Sequence, residues 1–375
     1  MAQTIVGLNS PIAVKRWSAT LFSDMARESY WGSRFMSKSP DAPTPIQVLT
    51  ELENEAGDTV SYDLFVQLKQ KPTYGDQVLR GREEALNNFT DKISIDQVRC
   101  GVNAGGRMSR KRTLHDLRSV ARQKMAEWWA RWTDEVTFIY GSGMRGTNPD
   151  FIEDPDYAGF ANNGLTAPDS DHVLLGGNAT SDGTIAVADT FDLGIMERAV
   201  TKADTMGGGS DGKIKIRPIK INGEKRYVIV MSTFQEHSLR LSANGTSQWL
   251  DIQRAAAAAQ GANNPIFTGS MGMYRGVILH SHPAVIRFYA GTDGLQPCAR
   301  ALFLGAQAMV MAFGSPGSGL RYDWNEETED RGNQIVISSS TILGIKSTQY
   351  NGARFSGLAL DTYAADPNVS PPSTN

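Results

Sequence analysis

MSRKRTLHDLRSVARQKMAEWWARWTDEVTFIY, residues 108–140, is the stretch that decides the fold. Met108, Leu114, Leu117, Val120, Ala121, Met125, Trp128, Trp129, Trp132 and Val136 recur at helical spacing, and Ser109 stands where a cap belongs. Some thirty helical residues at about 1.5 Å each span roughly 45 Å. That is too long for the middle of a small domain and suits a beam crossing a flat subunit. The first half is basic: Arg107, Arg110, Lys111, Arg112, Arg118, Arg122 and Lys124 face only Asp116. It is either a solvated face with intrahelical pairs or a face turned to nucleic acid or to acidic groups of another subunit.

Upstream, Val60, Tyr62, Leu64, Val66 and Leu68 alternate with Ser61, Asp63 and Gln67, and Phe65 breaks the pattern. Period two with branched and aromatic residues predicts a half-buried strand. A second strand is expected at Ile93 and Ile95, with a polar stretch carrying Pro72, Gly75 and Gly81 between them. A long hairpin of two strands is marginal alone, so its apolar face needs a partner surface. Residues 1–50 are polar and broken by prolines. Tyr30, Trp31 and Phe35 lie close together there and should pack either on their own domain or on a neighbour.

Downstream, 141–186 is rich in Gly, Asn, Asp and Pro and reads as an irregular surface insertion. An amphipathic helix is expected over 188–205, capped by Asp189, with Phe191, Ile195, Ala199 and Val200 inward. Gly207 to Gly209 reads as a flexible joint, because no Lys-Ser/Thr follows to hold a phosphate. From 213 the texture is α/β. Strands are expected at Ile214 to Ile216, Tyr227 to Met231, Gly276 to Leu279 and Val285 to Phe288, and helices near 235–243, at 247–260 and from Pro297 to Phe313. Closing strands are expected at 334–338, 342–346 and 355–360, then a disordered tail from Asp366. No internal repeat or heptad pattern is visible.

The chain has 375 residues, a net charge of -3, 40% hydrophobic and 21% charged residues. This is globular composition with room for two or three compact units, and a protein that coats nucleic acid all over would be strongly basic. Cys100 and Cys298 make neither a disulfide framework nor a zinc set and read as free thiols. Met1 to Ser10 is no signal peptide, and no apolar run is long enough to span a bilayer.

The strongest enzymatic pattern is His280-Ser281-His282, which puts two imidazoles on one strand face, yet Pro283 follows and no Asp or Cys nearby offers a third ligand. Asp323, Glu326, Glu327 and Asp330 surround Trp324 without the spacing of a calcium loop. No nucleophile elbow, Walker, zincin or dinucleotide motif occurs. No catalytic residue, cofactor or metal is expected.

The stretch 239–279 carries a resemblance. Leu239, Trp249 and Arg254, then Asn264-Pro265-Ile266-Phe267-Thr268-Gly269, then Gly272-Met273-Tyr274-Arg275-Gly276-Val277-Ile278-Leu279 resemble the major capsid protein family of tailed bacteriophages, in its large-podovirus and prophage branch. Leu302 to Ala308, Trp324 to Asn333 and the Arg112 to Trp129 helix resemble further blocks, so the likeness runs over roughly 15–365. It implies an α+β shell fold with an N-terminal arm at 1–50, an extended hairpin loop at 51–105 and a peripheral domain at 106–215, whose spine helix is 108–140 and whose insertion is 141–186. It also implies an axial domain at 216–332, with closing strands and tail at 333–375. The implied function is self-assembly into hexamers and pentamers of an icosahedral shell around double-stranded DNA, with portal, scaffold and decoration proteins as partners, no membrane, and the host cytoplasm as the place of assembly. Alternatives are an encapsulin-like compartment, a minor virion or decoration protein, or a metal-dependent enzyme using His280 and His282. Assembly contacts are expected at Trp31, Val60, Tyr62, Leu64, Val66, Trp249, Phe267 and Tyr274, and a DNA-facing surface at Arg118, Arg122 and Lys124.

Overall fold

The structure is a computed structural model. It describes residues 28–38, 44–53, 56–65, 70–86, 88–206, 215–221, 223–241, 272–315 and 321–369, with positions 21, 25 and 68 besides. Two sheets are laid along one long helix. The first has six strands in the order Met36–Ser37, Ile46–Leu49, Met309–Gly314, Gln334–Ser347, Tyr322–Glu329, with Asp96–Gly106 paired to Gln334–Ser347 as well. The second has eight: Gly272–Tyr274, Val277–Ser281, Glu224–Met231, Gln296–Leu304, Gly357–Tyr363 and Val173–Leu175 in that order, with Arg287–Ala290 beside Gln296–Leu304 and Ile219–Ile221 beside Glu224–Met231. The architecture is α+β. The six-stranded sheet draws strands from both the 216–332 and the 333–375 segments.

The expected beam is present but broken. A short helix, Arg107–Arg112, ends at an extended Thr113, and the long helix is Leu117–Ser142. Thr113 Oγ1 accepts the His115 N–H, and Asp116, not Ser109, caps the long helix by accepting the Arg118 N–H at 3.1 Å. Short polar side chains here compete with helical hydrogen bonding. Leu114, counted on the apolar face from spacing, sits at the break and is fully exposed. Beyond Ala121 the apolar stripe widens until every residue from Trp132 to Ser142 is buried. The helix thus starts on the surface and ends inside.

That end is held by charge. Arg300 makes a bidentate pair with buried Asp361 at 2.8 and 2.6 Å and donates to the Ser142 carbonyl at 3.1 Å. Arg354 donates to the Gly141 carbonyl at 2.7 Å. The last carbonyls of a helix lack intrahelical partners and carry partial negative charge, so guanidinium groups satisfy both needs. Burial, with Arg300 beside it, pulls the Arg354 guanidinium down to about 10.

The helix expected from Pro297 to Phe313 is instead two strands, Gln296–Leu304 and Met309–Gly314. Nearly every residue in both is buried on both faces, so no polar positions mark the period, and small residues suited to close helix packing serve equally between strands. Gly305 lies where any side chain would strike the Arg217 carbonyl. The helix expected at 188–205 is Leu193–Thr205, capped by Asp192 through the Ile195 N–H at 2.9 Å, and Phe191, Ile195, Ala199 and Val200 are buried as expected. Asp189 serves the preceding loop, accepting from the Ala186 N–H. Of the strand expected at 214–216, residue 214 lies outside the described residues and 215–216 are not in a strand; Ile219–Ile221 is, and the strand expected at 285–288 lies at Arg287–Ala290. The helix expected at 247–260 and the 207–209 joint lie outside the described residues.

Candidate assembly interface

The long hairpin forms as expected: Thr59–Phe65 pairs antiparallel with Asn88–Ser94, with Val60 opposite Ile93, Tyr62 opposite Asp91 and Leu64 opposite Phe89. Its base is fastened to the body. Val60 and Ile93 are buried with Leu49, Val310 and Ala312 in a small core of their own. Tyr62 donates to Asp91 at 2.7 Å, Lys346 forms an ion pair with Asp91, and the Gln349 N–H donates to Asp91 at 3.1 Å. The alternating face expected to meet a neighbour is therefore consumed at its root by the subunit itself. Val60 is no outward contact, Tyr62 is half-buried, Leu64 is half-exposed, and Val66 lies outside the described residues.

What the hairpin leaves open is different. Phe65, the residue that broke the alternation, is 66% exposed, and Tyr74 and Val78 are 72% and 70% exposed. Leu68, Leu79 and Leu86 are exposed too, so six large apolar side chains occupy one thin projection. Isolated apolar surface residues are ordinary, but a cluster on one thin element marks an interaction surface.

The other expected contacts divide. Trp31 is fully buried in its own subunit, against Tyr30, Phe35 and Phe138. It is anchored because Asp134 of the long helix accepts from Ser29 Oγ at 2.7 Å and from the Tyr30 and Trp31 N–H groups at 2.7 and 3.1 Å. The arm residues thus complete the subunit's own core and are not free to contact a neighbour. Tyr274 is partly buried and donates to Glu197 at 2.7 Å. Trp249 and Phe267 lie outside the described residues.

The basic face is largely engaged within the subunit. Arg118 reaches Glu326 at 2.7 Å, Lys124 pairs with Glu127 one turn on at 2.6 Å, and Arg122 is half-buried. Arg107 and Arg110 donate to the Gly332 and Asn333 carbonyls. Glu326, one of the acidic residues grouped around Trp324 in the sequence, is buried and also accepts from Trp324 Nε1 at 2.8 Å.

His280 and His282 do share a face, within an aromatic cluster rather than a ligand set. His282 stacks on Phe138 with ring centroids 5.0 Å apart, and His280 meets Phe35 edge-on at 5.2 Å. Burial pulls His282 down to about 4. Among the described residues no group of three His, Cys, Asp or Glu side chains could hold a metal ion, and no helix there is long and apolar enough to cross a membrane.

Sequence reasoning missed the role of 141–186. Asn163, Arg145, Asn148 and His172 in that segment are buried, and Glu135 accepts both the Ile152 and Glu153 N–H groups at 2.7 and 2.8 Å. The segment up to Asn163 is packed against the long helix, Val173–Leu175 joins the eight-stranded sheet, and 180–184 lies on the surface as expected.

Comparison with known proteins bears on family and fold. The profile of the phage capsid protein family matches residues 5–363. The chain is 27% identical over 362 residues to the major capsid protein of Pseudomonas phage KPP25, covering 89% of each. The capsid of Ralstonia phage GP4 superposes with a TM-score of 0.85 at 48% identity, over 98% of this chain and 100% of that one. The cyanophage Pam1 capsid shares the fold at 20% identity, with a TM-score of 0.69 over 91% of this chain and 93% of that one. Fold, profile and relatives converge: this chain belongs to the phage major capsid protein family.

Proposed function

We propose that the subunit assembles with copies of itself into rings of six and five that close an icosahedral shell around double-stranded DNA, and that the long hairpin lies across the adjacent subunit. The observation that carries this reading is the set of exposed apolar side chains, Phe65, Leu68, Tyr74, Val78, Leu79 and Leu86, on an element whose base is fastened to the body. At about 25 cal/mol per Å² of apolar surface, covering such side chains is worth several kcal/mol per contact. Closed symmetry repeats that contact around each ring, so modest interfaces make a cooperative shell. The work is structural rather than enzymatic, done in the host cytoplasm before the chain becomes part of the virion. Portal, scaffold and decoration proteins are the partners such a shell calls for. Contact with DNA would fall to the exposed cations of this stretch, Lys111, Arg112 and Lys124, the last in an ion pair that is itself exposed.

Deleting 70–88 tests the reading. The shortened chain should remain folded and soluble and form no closed shells under electron microscopy when co-expressed with its co-encoded proteins. Closed shells of normal size would overturn the role of the hairpin.

A further inference from the structure

Segment 159–164, in which Ala161 and Asn163 are buried, sits where the long hairpin leaves the body. Gly159–Phe160 and Asn163–Gly164 pair as a miniature hairpin, and the two residues between them, Ala161 and Asn162, both have a φ of 55°. Two successive left-handed residues make the tight turn whose twist matches its strands. Asn163 is 5% exposed, and its side chain grips one residue of the long hairpin at both ends of the peptide pattern. Its Oδ1 accepts the Ser94 N–H at 3.0 Å, and its Nδ2 donates to the Ser94 carbonyl at 2.7 Å. A carboxamide, with one acceptor and one donor side by side, is the side chain that can replace a strand partner in this way.

The miniature hairpin is in turn fixed to the long helix. Tyr140 donates to the Asn163 carbonyl at 2.6 Å and accepts the Phe160 N–H at 2.9 Å. From the other side, Gly344 allows the Gln334–Ser347 strand to reach the same spot, because a side chain there would collide with the Ser94 carbonyl and press on Asn163 Nδ2. Asp91, three residues before Ser94 on the same strand, takes the second set of bonds from Lys346 and Gln349. Together with the small core around Val60 and Ile93, these two sets of bonds on one strand fix the hairpin's direction. Beyond them, Gln70 bonds to Glu84 and Arg82 to Gln77 across the hairpin itself.

We propose that segment 159–164 is a bracket that sets the angle at which the long hairpin leaves the subunit, with Asn163 as the positioning residue, and that this angle controls how neighbouring subunits curve into a shell. The inference rests on the assembly role proposed above. A strand rises about 3.3 Å per residue, so seven residues reach about 23 Å, and a turn of about 5° at the base moves the far end by about 2 Å. An error of that size, repeated at each contact, spreads shell curvature.

Asn163→Ala in the full chain, co-expressed with its co-encoded proteins, is the direct test. Amide exchange in 59–65 and 88–94 of the unassembled subunit should speed up about tenfold or more, and particles should spread over several diameters. A single native diameter, or unchanged exchange, overturns the bracket. If the alanine variant does not fold, Asn163→Asp keeps the size and the acceptor for the Ser94 N–H, removes the donor and is read in the same way; failure of both to fold would make Asn163 a folding residue and likewise overturn the proposal. The 70–88 deletion separates this from the parent reading. If that deletion abolishes shells while Asn163→Ala shells stay uniform, the bracket alone fails; if it leaves shells intact, the hairpin reading fails first.

Discussion

The inner end of the long helix and the outer half of the long hairpin are built on opposite terms. Around Ser142, Arg300, Arg354, Asp361 and two helix carbonyls are buried and hydrogen-bonded among themselves, and apolar side chains surround them. Among the described residues past Phe65, the hairpin's large apolar side chains are exposed. A chain that folded only to be stable would bury the second set as thoroughly as the first. The contrast separates what holds one subunit together from what is kept for the next.

The most severe test of the first region is Asp361→Ala. It strands the Arg300 guanidinium beside Arg354 in a dry site, and breaking a buried ion pair costs about 3–5 kcal/mol. Chemical unfolding of the unassembled subunit should show a loss of that size, with unfolded or insoluble protein at physiological temperature. A loss under about 1 kcal/mol would mean water reaches the site.

A smaller effect tests the aromatic cluster where the arm docks, through pH. Burial holds His282 at about 4, below its usual value near 6.5, so its stabilising contribution is whole above pH 6.5 and lost as pH falls through 4. Asp134 is displaced the other way: burial raises it to about 6 against the bonds from Tyr30, Ser29 and Trp31. Its protonation favours the folded state, so stability rises as pH falls from above 6 towards 3.8. The two trends oppose each other over the same window. Asp134→Asn should therefore leave an acid-sensitive subunit, and His282→Phe one that gains stability towards pH 4, by on the order of 2 kcal/mol each. Unfolding midpoints of both variants running parallel to the native profile would show that neither group titrates in this range.

Of similar size is Arg118→Gln, which removes the charged partner of buried Glu326 and leaves it the Trp324 Nε1–H, at a cost of about 1–3 kcal/mol. Lys124→Gln breaks an exposed pair and should change stability by less than about 0.5 kcal/mol. Equal effects would mean that both charges belong to the solvated face.

How much of this was legible follows the same division. The hairpin could be read because Val60, Tyr62 and Leu64 alternate with polar neighbours, a pattern that exists only where one face is covered. The arm anchor at Trp31 and the pair of strands over 296–314 could not be read. A segment buried on both faces carries no period, and Ala299, Ala301, Gly305 and Ala308 fit either geometry. Asp116 and Asp192 show a finer failure: the caps lie three residues past an adequate alternative in one case and seven in the other. Which polar residue starts a helix depends on where tertiary contacts let the turn begin. The grip of Asn163 on Ser94 spans 69 residues and leaves no mark in either segment's pattern. An asparagine in a polar stretch looks like any loop residue until its partner is in place.

The smallest expected change in the subunit is the sharpest test of the contrast. Tyr74→Ser with Val78→Ser removes two side chains that touch little within their own chain, so the unfolding midpoint should stay within about 0.5 kcal/mol of native. Lost burial then has only one place to appear, in the contact between subunits, and closed shells should become scarce while soluble rings or free subunits accumulate. A drop in subunit stability would show that the hairpin already has cover within its own chain. Native stability with native shell yield would mean these side chains stay in water throughout, and that the apolar cluster on the projection is not what neighbours bind.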